Sequence, residues 1–255
     1  MNTTARHPAA KHAAPKPRPR TAFENWEDGI DKADDKWNAY DCEIRSAVDE
    51  YDRHLSRTPG YVPLDWRVVK AMLWVETGAN LPQWRSAPMQ IGNNGDPGLM
   101  ALLGDTEGGD LIIPPSFRAG LSVSAVKSIP THNIRAGIGD LLMRMANFEF
   151  KSVPDRDGRT YDVTVRAGDS IDKIARAQGS TLELMRQLNP SSHMLKPGDV
   201  LKYQKASIQR VVTGWKPITP AGVATYYNAG GDSMYGRKMD HALNAVRQAK
   251  DARCN

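Results

Sequence analysis

The chain is poor in cysteine and in long apolar runs, and each lack excludes a class of protein. Its two cysteines, Cys42 and Cys254, have none of the paired spacing of a zinc site, so the sequence predicts no metal and no cofactor. They are either two unrelated thiols or one disulfide between the first and last helices. No run approaches the roughly 18 apolar residues of a membrane span, and no apolar core of a secretory signal follows the N-terminus.

Acidic residues are absent from the first 20 positions, which hold five of the 34 Lys and Arg. The rest of the chain carries 29 basic residues (34 minus 5) against 29 acidic ones, so the formal net charge of +5 lies in this segment. Its Pro, Ala, Lys and Arg content predicts an extended, disordered leader over residues 1–20. A balanced folded part argues against nucleic acid as a partner.

Apolar residues spaced by three and four predict a mainly helical body. One long helix is expected over residues 23–55, and a second should run from the N-cap Asp65 to a stop at Gly78. Asn133 is expected to cap a third helix that carries Phe148 on its apolar face. With 40% hydrophobic residues in 255, the chain can form one substantial domain and a small one.

The remaining segments contain more turns. Residues 92–130 are rich in Gly and Pro, which predicts mostly loop with short helical turns. After Trp215 the chain should return to helix, with Thr219 as N-cap and Pro220 as the first helical residue. A last amphipathic helix is expected around Met239.

A small domain is predicted over residues 159–205. Alternating apolar residues indicate a strand at its start, and a capping box from Ser180 to Glu183 opens the second of two short helices. A turn at Lys196-Pro197-Gly198 leads to a second strand, so the order is strand, helix, helix, strand. The segment resembles a LysM domain along its whole length, through Tyr161-Asp-Val-Thr-Val-Arg-Ala-Gly-Asp-Ser-Ile, Asn189-Pro190 and Leu195-Lys-Pro-Gly-Asp-Val-Leu.

This resemblance implies a module that holds N-acetylglucosamine-containing glycans in a shallow groove between two loops. The positions that match those loops are Gly168, Asp169, Ser170, Ile171, Met194, Leu195, Lys196 and Pro197. The alternative is that such residues are only the turns that the fold needs, above all Gly168, Pro197 and Gly198.

Outside this segment, four fragments are similar, in order, to motifs of the lytic transglycosylase family. They are Val75-Glu76-Thr77-Gly78, Pro88-Met89-Gln90-Ile91, Asn133-Ile134-Arg135-Ala136-Gly137 and Tyr226-Tyr227-Asn228-Ala229-Gly230. Since the last fragment follows the LysM segment, the resemblance implies a mainly α, lysozyme-like domain over residues 21–150 and 210–255, interrupted by a small α+β LysM domain. Thr77 and Ala87-Pro88 depart from the family pattern, which leaves the subsite geometry open.

Helix phase separately singles out Glu76. At 100° per residue it points away from Arg67 and lies among Val69, Met72 and Leu73 on the apolar side. Burial raises the pKa of a carboxyl group, as a glycosidic general acid requires. The alternative is a partly exposed glutamate with an ion-pair partner.

The family resemblance implies that Glu76 protonates the oxygen between N-acetylmuramic acid and N-acetylglucosamine. It then serves as the base while the muramic 6-hydroxyl closes a 1,6-anhydro ring. The residues that the resemblance assigns to substrate binding are Thr77, Met89, Gln90, Asn133, Tyr226, Tyr227 and Asn228.

Two other functions remain open. A hydrolytic muramidase would use a second carboxylate from the loop, namely Asp96, Asp105, Glu107 or Asp110, and an inactive protein would only bind glycan. Peptidoglycan lies outside the cytoplasm, so a chain without a signal needs another route. We expect injection into a competitor's periplasm by a type VI-like secretion system with a carrier and a periplasmic immunity protein, or else a phage origin.

Overall fold

The structure, a computed structural model, describes residues 18–93 and 97–254. In chain order its elements are α1 (Ala22–Asp31), α2 (Asp41–Leu55), α3 (Trp66–Glu76), α4 (Gly98–Leu103), α5 (Gly109–Ile112), α6 (Pro115–Arg118), α7 (Val123–Ser128), α8 (Pro130–Met145), β1 (Ala146–Pro154), β2 (Tyr161–Thr164), α9 (Ile171–Ala177), α10 (Leu182–Leu188), β3 (Val200–Tyr203), β4 (Ala206–Trp215), α11 (Pro220–Gly222) and α12 (Tyr235–Gln248). Single turns of 3₁₀ helix form at Asp35–Asn38 and Pro82–Arg85, and a π-helical turn forms at Val223–Tyr227.

Helix α8 lies at the centre of the helical body. Eleven of its 16 residues are buried, and its glycines permit close packing. A Cβ atom at Gly137 would lie 2.7 Å from the Cβ of Met89, and one at Gly139 would lie 2.6 Å from the hydroxyl of Tyr51. Tyr51 is itself buried and donates to the carbonyl of Arg135 at 2.8 Å. Helix α12 packs along α3 on the other side of this core.

Several predicted helix ends are confirmed. Asp65 caps α3 by accepting from the amide of Arg67 at 3.0 Å, and Gly78 takes the left-handed φ of 69° that follows the helix. Thr219 accepts from the amide of Gly222 at 3.0 Å. Residues 92–130 form short helices joined by loops wherever the structure describes them, as their Gly and Pro content predicts.

The single long helix predicted over residues 23–55 is wrong. The chain breaks after α1 and forms the 3₁₀ turn before α2 begins. This break carries Trp37 into the core, where its ring packs edge-on against Trp74 with centroids 5.1 Å apart. The Trp37 ring also fills the space beside Gly78, where a Cβ atom would lie 2.6 Å away. Burial of a large aromatic ring outweighs helix periodicity here.

The predicted start and end of the central helix are also wrong. Helix α8 begins at Pro130, a residue type favoured in the first turn, so Asn133 lies inside the helix and not at its cap. The side-chain amide of Asn133 is fully buried, and its oxygen accepts a hydrogen bond from the backbone amide of Met89 at 2.7 Å. At the other end the helix stops at Met145, and Phe148 belongs to strand β1.

Strands β1 and β4 form a two-stranded antiparallel ribbon that the sequence did not predict. The register runs from Ala146↔Trp215 to Pro154↔Ala206. Positions 150 and 210, the predicted limits of the interrupted domain, lie opposite each other within this ribbon. Of the predicted leader, only residues 18–20 are described, and they are exposed and outside any helix; residues 1–17 lie outside the described part.

The small module has the predicted order of strand, helix, helix and strand. Strand β2 pairs antiparallel with β3, from Tyr161↔Tyr203 to Thr164↔Val200. Its separate core consists of Val165, Ile174, Ala175, Met185 and Leu201. A mainly helical body with a small α+β module is therefore confirmed, whereas the lysozyme-like character of the body stays a prediction.

The capping box that was predicted to open α10 is wrong by one residue. Thr181, not Ser180, has the extended backbone of an N-cap, and its hydroxyl accepts from the amide of Leu184 at 3.2 Å. The Thr181 hydroxyl also shares a hydrogen bond with Ser152 of β1. The residue that caps α10 is therefore also the one that contacts the ribbon.

The two cysteines form one disulfide, Cys42–Cys254. Of the two alternatives, the disulfide is therefore confirmed, and it joins the first turn of α2 to the segment that follows the last helix, α12. The same C-terminal segment donates the amide of Ala252 to Asp41 at 3.2 Å. Asp41 is buried and pairs with the buried Lys70 at 2.8 Å, so the segment covers a buried ion pair. No helix within the described ranges is long and apolar enough to cross a membrane.

Candidate functional site

Glu76 is the last residue of α3, and its carboxyl group opens onto a small cavity. The cavity has a volume of about 180 Å³ and is lined by Glu76, Met89, Gln90, Ile91, Asp140, Arg144, Tyr227 and Asn228. Tyr235, in the first turn of α12, donates its hydroxyl to Oε1 of Glu76 at 2.7 Å. Three separated parts of the helical body thus meet around one carboxyl group.

Burial raises the pKa of Glu76 to about 7. The hydrogen bond from Tyr235 opposes this shift, and the negative charge of Asp140 adds to it. The positive charge of Lys238 also lowers the pKa, and the negative charge of Asp232 also raises it. A carboxyl group with this pKa can both give and take a proton near neutral pH, which a group that acts first as acid and then as base must do.

The hydroxyl of Tyr235 keeps its proton under the same conditions. Burial raises its pKa well above the ordinary value, and the neighbouring charge of Glu76 adds to the shift. Tyr235 therefore stays a donor and fixes the orientation of the Glu76 carboxyl group. The sequence did not predict this residue, because its side chain meets Glu76 only through the packing of α12 against α3.

Hydrogen bonds to buried side chains fix the loop that carries Met89 and Gln90. Thr77 donates its hydroxyl to the carbonyl of Pro88 at 2.9 Å, and Asn133 accepts from the amide of Met89. Gln90 has a φ of 52°, which is uncommon for a residue with a side chain. Its side-chain amide donates a hydrogen bond to the backbone carbonyl of Glu76. Of the predicted substrate-binding residues here, Met89 and Gln90 line the cavity.

Thr77 and Asn133 do not line it. Thr77 is 7% exposed and Asn133 is fully buried, and the hydrogen bonds of both go to the protein backbone. In the structure these hydrogen bonds position the loop beside Glu76. Contact of Thr77 and Asn133 with a substrate stays a prediction.

The π-helical turn supplies the opposite wall. Tyr227 and Asn228 line the cavity, and Asn228 donates its amide to the carbonyl of Asp232 at 3.2 Å. Tyr226 is 42% exposed, and the ammonium of Lys216 lies 5.1 Å from its ring centre. Tyr226 is not among the residues that line the cavity, so its predicted part in substrate binding stays a prediction.

Helix α8 adds two charged residues that sequence reasoning missed. Asp140 and Arg144 form an ion pair at 2.9 Å, and the Arg144 guanidinium lies 5.9 Å from the ring centre of Tyr227. A signal was present, since Asn133, Gly137, Asp140 and Arg144 follow at intervals of four, three and four and therefore share one helix face.

The loop carboxylates considered for a hydrolase do not line the cavity where the structure describes them. Asp105, Glu107 and Asp110 are not among the lining residues, and Asp96 lies outside the described residues. Asp140 is the acid that lines the cavity together with Glu76. Among the described residues, Asp140 of α8 is therefore the candidate for a second carboxylate.

The two predicted loops of the module lie side by side. The amide of Val165 donates to Asp199 at 2.8 Å, and the amide of Gly198 donates to Val165 at 2.9 Å. Met194 is 80% exposed, whereas Leu195 packs against the module core. These loops follow β2 and precede β3, so they lie at the end of the module away from the ribbon.

Several polar residues of these loops are used by the turns themselves. Asp169 accepts from the amide of Arg166 at 2.7 Å, and Ser170 caps α9 by accepting from the amide of Lys173. Gly168 has a φ of 83°, and Ile171 begins α9. The backbone amide of Lys196 donates a hydrogen bond to the carboxylate of Asp199. These hydrogen bonds of Asp169 and Ser170 are structural, as the alternative interpretation expects.

Residues 163–203 match the family model of the LysM domain. The match lies inside the predicted range of 159–205, confirms the identification of the module, and indicates binding of peptidoglycan or a related glycan. A search of curated proteins and a search of solved structures found no match to the chain. The resemblance of the helical body to lytic transglycosylases stays a prediction.

Proposed function

We propose that the protein is a peptidoglycan lytic transglycosylase whose LysM module holds the glycan strand that Glu76 cleaves. The observation that carries the proposal is the Glu76 carboxyl group, enclosed, oriented by Tyr235 and brought by burial to a pKa of about 7. It faces a cavity with polar side chains from Gln90 and Asn228, in a chain that also contains a glycan-binding module.

The reaction needs one group that changes role. Protonated Glu76 gives its proton to the oxygen between N-acetylmuramic acid and N-acetylglucosamine, the bond from C1 to that oxygen breaks, and N-acetylglucosamine leaves with a 4-hydroxyl. The acetamido carbonyl of the substrate stabilises the positive charge at C1. The muramic 6-hydroxyl then attacks C1 and returns its proton to Glu76, so no water is consumed.

The other residues of the cavity hold the reacting groups. Tyr235 keeps one carboxyl oxygen of Glu76 engaged, which leaves the other for the substrate. Gln90 and Asn228 provide amide groups for the sugar hydroxyls and the acetamido group, and Met89 gives an apolar surface. The Asp140–Arg144 pair fixes the α8 side of the cavity.

Digestion of purified peptidoglycan tests the proposal. We expect products that end in 1,6-anhydro-muramic acid, one water lighter than hydrolysis products, and Glu76→Gln should abolish them because it removes the titrating proton and keeps the shape. Glu149→Gln is the matched control, since this side chain is 59% exposed on β1. Retention of more than a few per cent of activity by Glu76→Gln would show that another group is the acid.

The position of Asp140 favours one alternative, a hydrolytic muramidase in which this carboxylate activates water. Products with free reducing ends, lost in Asp140→Asn, would establish that reading. Wild-type protein that binds peptidoglycan without cleaving it would instead be an inactive glycan-binding protein.

Delivery by injection, the carrier and the immunity protein stay predictions. The test is expression in a bacterium with and without an added secretory signal, where toxicity is expected only with the signal.

A further inference from the structure

The ribbon of β1 and β4 separates the glycan-binding module from the helical body by a fixed length. Its register is continuous over nine residue pairs apart from one shift between Asn147 and Phe148. At a rise of about 3.4 Å per residue, nine pairs span about 30 Å. Hydrogen bonds between paired strands make such a ribbon far stiffer than a single-stranded linker of the same length.

The base of the ribbon is anchored to the elements that line the Glu76 cavity. Strand β1 starts two residues after Arg144. Lys216, next to the end of β4, donates its ammonium to the carbonyls of Arg144 at 2.9 Å and Ala146 at 3.1 Å. The ring of Trp215 packs edge-on against Tyr61, with centroids 4.9 Å apart. The base therefore has a defined position relative to the cavity.

The far end of the ribbon is docked to the module. The amide of Ala206, the first residue of β4, donates to the carbonyl of Gly179 in the module at 3.0 Å. The hydroxyls of Ser152 and Thr181 share a hydrogen bond. These contacts hold the module at the joint, and its glycan-binding loops project from the opposite end.

The partner of the ribbon changes from the body to the module near its middle. On the body side, Phe148 packs beside Gly108, and Arg210 donates its guanidinium to the carbonyl of Thr106. Beyond Phe150, which is 67% exposed, Ser152 contacts the module, and Ile208 opposite it lines a cavity together with α10. The body and the module thus hold successive stretches of one continuous ribbon.

We propose that the ribbon is a spacer that sets the distance along a glycan strand between the position held by the LysM module and the bond cut at Glu76. The inference rests on the proposed function, and it names the substrate: strands long enough to occupy both sites at once. A tethered second site raises the effective concentration of the strand at the cavity only where the spacing fits. Products released from long strands should therefore favour one length.

The test changes the length of the ribbon and measures the products from peptide-free glycan strands by chromatography and mass. Four residues are inserted in each strand, between Phe150 and Lys151 and between Gln209 and Arg210. An even number keeps each side chain on its own face, and four pairs lengthen the ribbon by about 14 Å. This exceeds one disaccharide repeat, so we expect the most abundant product to grow by at least one disaccharide.

A second variant keeps the ribbon and frees the joint. Flexible Gly and Ser residues are inserted between Arg156 and Asp157 and between Gln204 and Lys205, all exposed or half-buried positions outside the strands. We expect the product lengths to spread, because the module can then reach many positions. Both variants should degrade soluble fragments too short to reach the module at the wild-type rate, which shows that the cavity is intact.

The outcomes separate this inference from the proposed function. Wild-type protein that cleaves long strands without any favoured length, or variants that cleave them with the wild-type length distribution, would overturn the spacer and leave the activity standing. Absence of cleavage of both long and short substrates by the unaltered protein would overturn both.

Discussion

Replacing Glu76 by glutamine is expected to stabilise the fold above neutral pH, and this expectation holds whether or not the protein is an enzyme. Burial penalises the charged carboxylate and raises its pKa from 4.5 to about 7. Glutamine has nearly the same shape and carries no charge, and its carbonyl oxygen can still accept the hydrogen bond from Tyr235. The substitution therefore removes the cost of a buried charge and leaves the packing intact.

The magnitude follows from the difference between the two pKa values. Below pH 4.5 the carboxyl group is protonated in both the folded and the unfolded chain, so wild type and variant should be equally stable. Between pH 4.5 and 7 the folded chain binds more protons than the unfolded one, so wild-type stability falls as the pH rises. The difference of about 2.5 between the two pKa values (7 minus 4.5) corresponds to about 3 kcal/mol of folding stability, lost in full only above pH 7.

Urea denaturation at pH values from 4 to 9 measures this effect. The free energy of unfolding of Glu76→Gln should equal that of wild type at pH 4 and exceed it by about 3 kcal/mol at pH 9. Glu149→Gln, at an exposed position on β1, controls for the exchange of the functional group itself. A difference between Glu76→Gln and wild type that does not grow from pH 4 to pH 9 would refute the burial of the Glu76 carboxyl group.

Three further variants, one of them with a control, probe the same architecture. Tyr235→Phe removes a hydrogen bond that lowers the Glu76 pKa, so the alkaline limb of the cleavage profile should move to higher pH; an unmoved limb would contradict the contact. Gly137→Ala should cost about 1–3 kcal/mol through collision with Met89, whereas Gly29→Ala, with open space around it, should be neutral or stabilising. Replacing both cysteines by serine should lower the free energy of unfolding by up to about 5 kcal/mol, because the bond spans 212 residues; equal urea midpoints with and without reductant would argue against the bond.

Local chemistry allowed much of the fold to be predicted from the sequence. The ends of α3 depend on Asp65 and Gly78, whose preferences act within one turn. The module could be predicted element by element, because its turns, short helices and strands each have a signal of a few residues. Its match to the LysM family model confirms that interpretation.

Features that depend on distant parts of the chain escaped prediction. Trp37 breaks the first helix because Trp74 and Gly78, some 40 residues away, leave room for its ring. The short strands of the ribbon pair across an intervening module, so neither strand has a partner nearby in the sequence. Asn133 was assigned to a helix end by its residue type, while its buried contacts with the Met89 loop determine its position.

The candidate site shows the same division. Glu76 could be predicted because a family motif and helix phase both point to it, and the structure gives it the raised pKa that burial implies. Tyr235, Asp140 and Arg144 reach the cavity from α12 and α8, and only the packing of three helices brings them to one carboxyl group. Since Arg144 also precedes the ribbon by two residues, the element that lines the cavity is the one that carries the module.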